Sequence, residues 1–234
     1  MLAEQDLLEA KQHGRDVRAI YVYEAPLRLW HWINAICITV LAVTGYFIGQ
    51  PLPTVPGEAS DNFVLGYIRF AHFAAAYLFA VGLLGRIYWA LVGNHHARQV
   101  FSLPITNARW WSEVFFELRW YMFLEKEPNK YVGHNPLAQL MMFFFFTLLS
   151  IGMLFTGFAL YSEGAGLGSW QDTLFGWVIP ALGGSMQAHS IHRLGMWIMV
   201  VFVMVHIYAA IREDIMSRQS LLSTMVSGWR MFKD

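Results

Sequence analysis

Four long apolar runs constrain the fold of this chain more than any other feature of its sequence. They cover residues 27–48, 64–92, 136–160 and 186–211. A helix needs roughly 20 mostly apolar residues to cross the ~30 Å hydrocarbon core of a bilayer, and each run reaches that length. Only 14% of the residues are charged, whereas soluble domains carry about 25%. The sequence therefore predicts an all-α membrane protein built as a bundle of four transmembrane helices.

The basic residues predict how these helices are oriented, because Lys and Arg are retained in cytoplasmic segments. Most of the 16 lie before the first run, between the second and third, or after the fourth, and segments 49–61 and 161–190 contain none. Both termini are therefore expected in the cytoplasm. We expect residues 1–20 to form a polar cytoplasmic N-terminus, 21–215 the membrane domain and 216–234 a cytoplasmic tail.

The connection between the second and third runs contains an aromatic-rich stretch. Residues 107–124 mix Trp, Tyr and Phe with Arg and Glu. This pattern predicts an amphipathic helix that lies in the plane of the membrane interface. The alternative is a loop that Trp and Tyr anchor at the interface without a helical fold.

A single cysteine, Cys37, limits the metal chemistry open to the chain. Iron–sulfur clusters need several thiolate ligands, and a disulfide or the Cys-x-x-Cys-His attachment of a c-type haem needs two cysteines. Any metal must therefore be held chiefly by the nine histidines. The net charge of zero argues against nucleic acid as a partner, because phosphate binding needs a basic surplus.

Four histidines fall inside the apolar runs, where ionisable side chains are costly and usually functional. They are His31, His72, His192 and His206. His206 follows His192 by 14 residues, so both project from nearly the same helix face, about 21 Å apart along its axis. Because successive runs alternate in direction, His31 is expected level with His206 near the cytoplasmic surface, and His72 level with His192 near the outer surface.

Two histidines that face one another across a helical bundle can hold a six-coordinate haem iron between them. The two levels therefore favour two stacked b haems, an inner one on His31 and His206 and an outer one on His72 and His192. A zinc site would lack half of its usual ligands at each level. A proton relay and simple hydrogen-bonded packing remain alternatives.

Arginines and glycines in the same runs indicate supporting roles. Arg69 and Arg193 lie close in sequence to His72 and His192 and are candidates to pair with the propionates of the outer haem. Arg86 is expected to extend its charge to the membrane surface. Small residues can leave room for a flat haem or simply permit close helix packing; they are Gly45, Gly82, Gly157 and Gly195.

Two further patterns concern the rest of the chain. The tetrapeptides Thr44-Gly45-Tyr46-Phe47 and Thr156-Gly157-Phe158-Ala159 end the first and third runs and form a faint internal repeat. Three histidines lie in polar cytoplasmic segments and are expected at the surface; they are His13, His95 and His96.

Several motifs together are distinctive: YVYEAPLRLWHWINA, GYIRFAHF, GHNPLAQ, HRLGMW and HIYAAIREDIMSRQSLLSTMVSGWR. As a set they closely resemble the b-type cytochrome subunit of membrane-bound nickel–iron uptake hydrogenases, from about Tyr21 to the C-terminus. That family carries one haem-ligating histidine in its first helix, one in its second and two in its fourth. The pattern falls here on the four histidines of the apolar runs.

The resemblance implies a di-haem membrane anchor in the bacterial cytoplasmic membrane. A periplasmic hydrogenase, made of a large nickel–iron subunit and a small iron–sulfur subunit, would dock on the outer face and oxidise H₂. Electrons would enter at the outer haem, pass to the inner haem and reduce a membrane quinone. The alternative is the same fold serving another dehydrogenase or reductase, such as formate dehydrogenase or thiosulfate reductase. A haem-free anchor is a third hypothesis.

The quinone site is expected where the third run begins, on the cytoplasmic side. Asn135 and Gln139 are four residues apart and share a helix face, and the related formate dehydrogenase gamma subunit resembles this arrangement. His134 beside them is a candidate for quinone binding or proton uptake. The alternative is that Asn135 caps the helix and Gln139 bonds a neighbour.

Overall fold

The computed structural model describes residues 19–53, 56–58, 62–217 and 219–232. Most of the predicted polar N-terminus, including His13, lies outside the described residues, as do Arg218 and the last two residues of the tail. In chain order the elements are β1 (Ala19–Tyr21), α1 (Ala25–Gly49), α2 (Val64–Val92), α3 (His95–Arg98), α4 (Ala108–Tyr121), α5 (Pro136–Ala165), α6 (Trp170–Phe175), α7 (Val178–Ala181), α8 (Ser185–Met216), α9 (Leu221–Ser227) and β2 (Trp229–Met231).

The four predicted spans are confirmed as helices α1, α2, α5 and α8, each long and apolar enough to cross a membrane. In the most apolar part of each helix only 17–28% of the residues are buried within the protein. The remaining apolar side chains face outward, as a lipid environment requires. Within α5, residues Met142–Leu148 form a π-helical stretch.

Helix α4 confirms that the aromatic-rich stretch is helical rather than a loop. The Asn107 side chain accepts a hydrogen bond from the Arg109 amide at 3.0 Å and so caps the first turn. The buried side chains of α4 fall at helical spacing along one face; they are Trp110, Val114, Glu117 and Trp120. Its orientation in the plane of the membrane interface stays a prediction.

The chain divides into two compact units. In the described residues, the His31 unit comprises 19–31, 85–147 and 203–232, and the His72 unit comprises 32–84 and 148–202. Each of the four long helices contributes one part to either unit. Each unit therefore contains one of the two predicted histidine pairs.

The His31 unit joins the two ends of the described chain. Strand β1 pairs antiparallel with β2, with Ile20 opposite Arg230. Arg230 is buried, and its Nη1 donates to the carbonyls of Tyr131 and Gly133 at 3.0 and 2.9 Å. A hydrophobic core lies beside this pair; its buried members are Val22, Tyr23, Leu27, Ala97 and Val132.

Two residues of the His31 unit depart from the expectations. Arg86 does not extend to the membrane surface: it is 2% exposed, donates to the Ala97 carbonyl at 2.6 Å and lies over the rings of Trp30 and Phe101 at 5.4 and 5.0 Å. His96 is not a surface residue, because it is 4% exposed. Burial lowers the pKa of His96 to about 3, so this imidazole is neutral at physiological pH.

Candidate functional site

His72 on α2 and His192 on α8 are each held by a threonine in the His72 unit. Oγ1 of Thr44 lies 2.9 Å from Nδ1 of His72, and Oγ1 of Thr156 lies 2.7 Å from Nδ1 of His192. Both threonines donate their hydroxyl proton to a carbonyl four residues earlier in their own helix, at 2.6 and 2.8 Å. A hydroxyl has one proton to donate, so each Oγ1 accepts from the imidazole.

Because the hydroxyl protons of both threonines are donated to backbone carbonyls, the tautomer of both histidines follows. The hydrogen sits on Nδ1, and the lone pair is therefore on Nε2. Histidines that bind metal through one nitrogen generally donate the hydrogen of the other to a nearby acceptor, which orients the ring. The donor set around His72 and His192 therefore fits two Nε2 ligands for a metal.

The glycine that follows each threonine lies against the same imidazole. A Cβ at position 45 would stand 3.2 Å from Cε1 of His72, and one at position 157 would stand 3.2 Å from Cε1 of His192. Gly45 and Gly157 thus make room for the edge of the histidine itself. By contrast, a Cβ at position 195 would overlap Sδ of Met153, which is close helix packing. The Thr-Gly repeat is consequently a pair of histidine-holding motifs.

All four long helices contribute to this arrangement in the His72 unit. The two Thr-Gly pairs come from α1 and α5, and the two histidines come from α2 and α8. His192 is close enough to His72 for an electrostatic interaction between their rings. Sδ of Met196, one turn after His192, lies 3.5 Å from the Cβ position of Gly45.

His31 on α1 and His206 on α8 face one another in the His31 unit. Their ring centroids are 6.4 Å apart, with 53° between the ring planes. Two imidazoles that ligate one metal from opposite sides, with metal–nitrogen bonds of about 2.0 Å, have their centres roughly 6 Å apart. The structure therefore brings this predicted pair together at a separation that suits a shared metal.

The remaining polar candidates near His192 lie at the surface of the His72 unit. Arg69 and Arg193 are both exposed. Nη1 of Arg193 is 3.4 Å from the carbonyl oxygen of Gly49. His189, the weaker candidate ligand, has its Nδ1 2.9 Å from the Ser185 carbonyl.

The three residues predicted for the quinone site lie together at the start of α5. Oδ1 of Asn135 accepts from the Ala138 amide at 2.6 Å and caps the helix. Oε1 of Gln139 accepts from Nε1 of Trp110 at 3.2 Å, and its Nε2 donates to the His134 carbonyl at 3.3 Å. Because an amide nitrogen carries two hydrogens, these contacts leave each side chain a further donor.

His134 packs beneath this helix start as a neutral imidazole. Its Nδ1 lies 3.1 Å from the hydroxyl of Tyr23. Burial, together with the charges of Arg230 and Arg86, lowers the pKa of His134 to about 3. At physiological pH His134 is therefore a neutral imidazole. It can form hydrogen bonds, but it lacks the second, acidic proton of an imidazolium.

Glu117 is a functional candidate that the sequence reasoning missed. The sequence pattern predicts an amphipathic helix here without singling out any acidic residue, yet Glu117 is 1% exposed. Its position gives the signal that would have found it, since it lies seven residues after Trp110 and three before Trp120. That spacing places a carboxyl group among the buried aromatic residues of one helix face.

Comparison with known proteins agrees with the fold. Residues 22–228 match the family described as prokaryotic cytochrome b561. The chain is 64% identical over 226 residues to the probable Ni/Fe-hydrogenase B-type cytochrome subunit of Azotobacter chroococcum mcd 1, covering 97% of this chain and 94% of that protein.

Two other relatives carry similar names. The probable Ni/Fe-hydrogenase B-type cytochrome subunit of Cupriavidus necator is 65% identical over 221 residues, covering 94% of this chain and 91% of its own. The probable Ni/Fe-hydrogenase 1 B-type cytochrome subunit of Escherichia coli K12 is 50% identical over 227 residues, covering 95% of each. With four helices able to span a bilayer, this chain is a multi-pass membrane protein that belongs to the prokaryotic cytochrome b561 family.

Proposed function

We propose that this chain is a di-haem b-type cytochrome subunit through which a nickel–iron hydrogenase delivers electrons from H₂ to membrane quinone. The names of relatives that are 64–65% identical over more than nine-tenths of the chain support its association with a hydrogenase and its use of haem b. The observation that carries the proposal is the facing arrangement of His31 and His206, with centroids 6.4 Å apart. His72 and His192 provide a second pair.

The donor sets favour haem over a bare metal ion. Within the described chain, no three or more His, Cys, Asp or Glu side chains are arranged to hold a metal ion. A two-histidine site therefore needs its other ligands from a cofactor, and a porphyrin supplies them. His31 and His206 would hold the inner haem, and His72 and His192 the outer one. When bound, each haem supplies one-electron transfer.

Side chains around the histidines have supporting roles in this proposal. Thr44 and Thr156 hydrogen-bond to Nδ1 of His72 and His192 and leave Nε2 of each as the nitrogen that would hold the haem iron. Arg69 and Arg193 pair with the propionates of the outer haem. Their exposure leaves both guanidinium groups accessible to those carboxylates.

Quinone binds at the start of α5 in this proposal. The second amide hydrogens of Asn135 and Gln139 are the donors for its carbonyl oxygens, and neutral His134 is a further hydrogen-bonding group. Replacing Gln139 with Ala should leave both haems in place and slow quinone reduction. Unchanged kinetics would remove Gln139 from the site.

The hydrogenase docks through segment 161–190 in this proposal. This segment exposes large apolar side chains, at 98% for Leu167, 57% for Leu174 and 58% for Trp177. The distribution of the basic residues supports a periplasmic position for this segment and cytoplasmic positions for both termini. The small iron–sulfur and large nickel–iron subunits would therefore assemble outside the cytoplasmic membrane.

Purification of the native complex tests the proposal. We expect the chain to copurify with both hydrogenase subunits, to contain two b haems, and to show reduction of its haem absorption bands under H₂. Recovery with a formate dehydrogenase or thiosulfate reductase instead would assign the alternative partner. Absence of b-type bands from the purified chain would exclude the redox function altogether.

A further inference from the structure

Glu117 is a buried carboxyl group with an unusual lack of hydrogen bonds. It is 1% exposed, and the hydroxyl of Tyr131, from the segment between α4 and α5, donates to it. Among the described residues, Oε1 of Glu117 has no hydrogen-bond partner. A bare carboxylate oxygen out of water is costly, whereas a protonated carboxyl group is tolerated there.

A second buried carboxyl group, Glu213 of α8, lies close enough to repel Glu117. Glu213 is 6% exposed but is better supplied with donors. Its Oε1 accepts from Nε1 of Trp120 at 2.8 Å, and the hydroxyl of Tyr121 donates to it as well. Glu213 thus has two hydrogen-bond donors, whereas Oε1 of Glu117 has none among the described residues.

Two buried guanidinium groups act on this carboxyl pair, Arg212 on Glu117 and Arg230 on Glu213. Arg212, 6% exposed, donates from Nη2 to the Trp120 carbonyl at 2.8 Å and attracts Glu117. Glu113, one turn earlier on α4, adds a weaker repulsion. Arg212 favours the charged form of Glu117 less than burial and Glu213 oppose it. Burial and the charge of Glu213 raise the pKa of Glu117 to about 8.

The pair is connected to the proposed quinone residues through Tyr121. The Asn135 side chain donates to the Tyr121 hydroxyl, which in turn donates to Glu213. Interactions of Tyr121 with both Asn135 and Glu213 thus connect the start of α5 to the carboxyl pair. His134, the other titratable group beside Asn135, is neutral at physiological pH and does not supply a proton there.

We propose that Glu117 and Glu213 form a proton-holding pair, with the proton on Glu117, that protonates quinone at Asn135 by way of Tyr121. The inference rests on the proposed reduction of quinone by this chain. For each proton delivered, Glu117 first passes its proton to Glu213. Glu213 then gives this proton to Tyr121 as the Tyr121 O–H bond breaks and a quinone O–H bond forms.

The overall change balances. Two such deliveries, with two electrons from the oxidation of H₂, convert one quinone to one quinol. After each delivery the carboxyl pair takes one proton from cytoplasmic water. No other oxidant or reductant is required.

The test is Glu117→Gln in the intact complex, with Glu113→Gln as its matched control. Glu113 lies one turn earlier on the same helix, in a partly exposed ion pair with Arg109 at 3.4 Å. After reduction by H₂, reoxidation of the haem bands by decylubiquinone is followed in a stopped-flow instrument. We expect Glu117→Gln to slow this reaction roughly 100-fold or more, and Glu113→Gln to match wild type. Wild-type rates in Glu117→Gln would overturn the proposal.

Infrared spectroscopy of the full chain gives a readout that is independent of quinone. We expect wild type at pH 7 to show the C=O stretch of a protonated carboxyl group that shifts in D₂O, and expect it in Glu113→Gln but not in Glu117→Gln. A band that persists in Glu117→Gln, or is absent from wild type, would also refute the assignment. If wild type shows the band but reduces no quinone, the proposed function fails while Glu117 still holds a proton.

Discussion

The Thr44 hydroxyl lies 2.9 Å from Nδ1 of His72 and has already given its own proton to its helix. The threonine therefore acts as the acceptor that fixes how the imidazole presents Nε2. We expect Thr44→Val, which keeps the shape and removes the acceptor, to weaken retention of the outer haem by roughly 10–100-fold. Electron paramagnetic resonance of the oxidised haems and redox titration measure the change in ligand orientation and potential.

Thr39→Val is the matched control for that substitution. Thr39 is on the same helix and donates to the Ala35 carbonyl at 2.9 Å, but it is exposed. It should leave both haem signals as in wild type. Equal spectra for Thr44→Val and wild type would mean that the threonine does not position His72.

A methyl group beside the imidazole provides a steric test. A Cβ at position 157 would stand 3.2 Å from Cε1 of His192, whereas position 152 on the same helix has nothing within 4 Å. We expect Gly157→Ala to displace the ring and reduce haem content toward one per chain, and Gly152→Ala to retain two. Pyridine haemochrome analysis per mole of protein distinguishes these results. Full haem content in Gly157→Ala would show that the ring can shift without loss of ligation.

The pairing of ligands is tested by single histidine substitutions. His72→Ala and His192→Ala should each remove the same haem, and His31→Ala and His206→Ala should each remove the other one. A haem that is held by two histidines would be lost when either histidine is removed. Redox-titrated absorption spectra of each variant identify which haem remains. Loss of one common haem in His31→Ala and His72→Ala would contradict the assignment.

The features that the sequence predicted correctly depend on local properties. The boundaries of the spans follow from hydropathy over some 20 residues. The proximity of His31 to His206 follows if successive spans alternate in direction. A bundle of alternating transmembrane helices has few possible arrangements. Span boundaries and helix direction were therefore sufficient to predict that His31 meets His206.

The features that escaped prediction depend on partners distant in sequence. Arg86 is buried because the Ala97 carbonyl and the ring of Trp30 take the place of water. Ile20 pairs with Arg230 at the far end of the chain. Glu117 is buried opposite Glu213 of another helix, and no local pattern of charge specifies that neighbour. Tertiary contacts, not composition, decide whether these polar groups face lipid, water or protein.

The raised pKa of Glu117 predicts how stability varies with pH. Its value increases from an ordinary 4.5 to about 8 in the folded protein, so between these limits the folded state binds more protons than the unfolded state. Stability should therefore decrease by up to about 1.4 kcal/mol per pH unit as pH rises through this window. Glu117→Gln, which cannot ionise, removes this dependence.

Thermal unfolding of the haem-loaded protein between pH 5 and 9 measures the effect. We expect Glu117→Gln to gain over wild type by a few degrees in Tm per pH unit, up to about pH 8, and the difference to stay constant at higher pH. Glu113→Gln should follow wild type across the range, because its carboxyl group is partly exposed in an ion pair with Arg109. A difference between Glu117→Gln and wild type that is the same at pH 5 and pH 8 would contradict a proton held by Glu117.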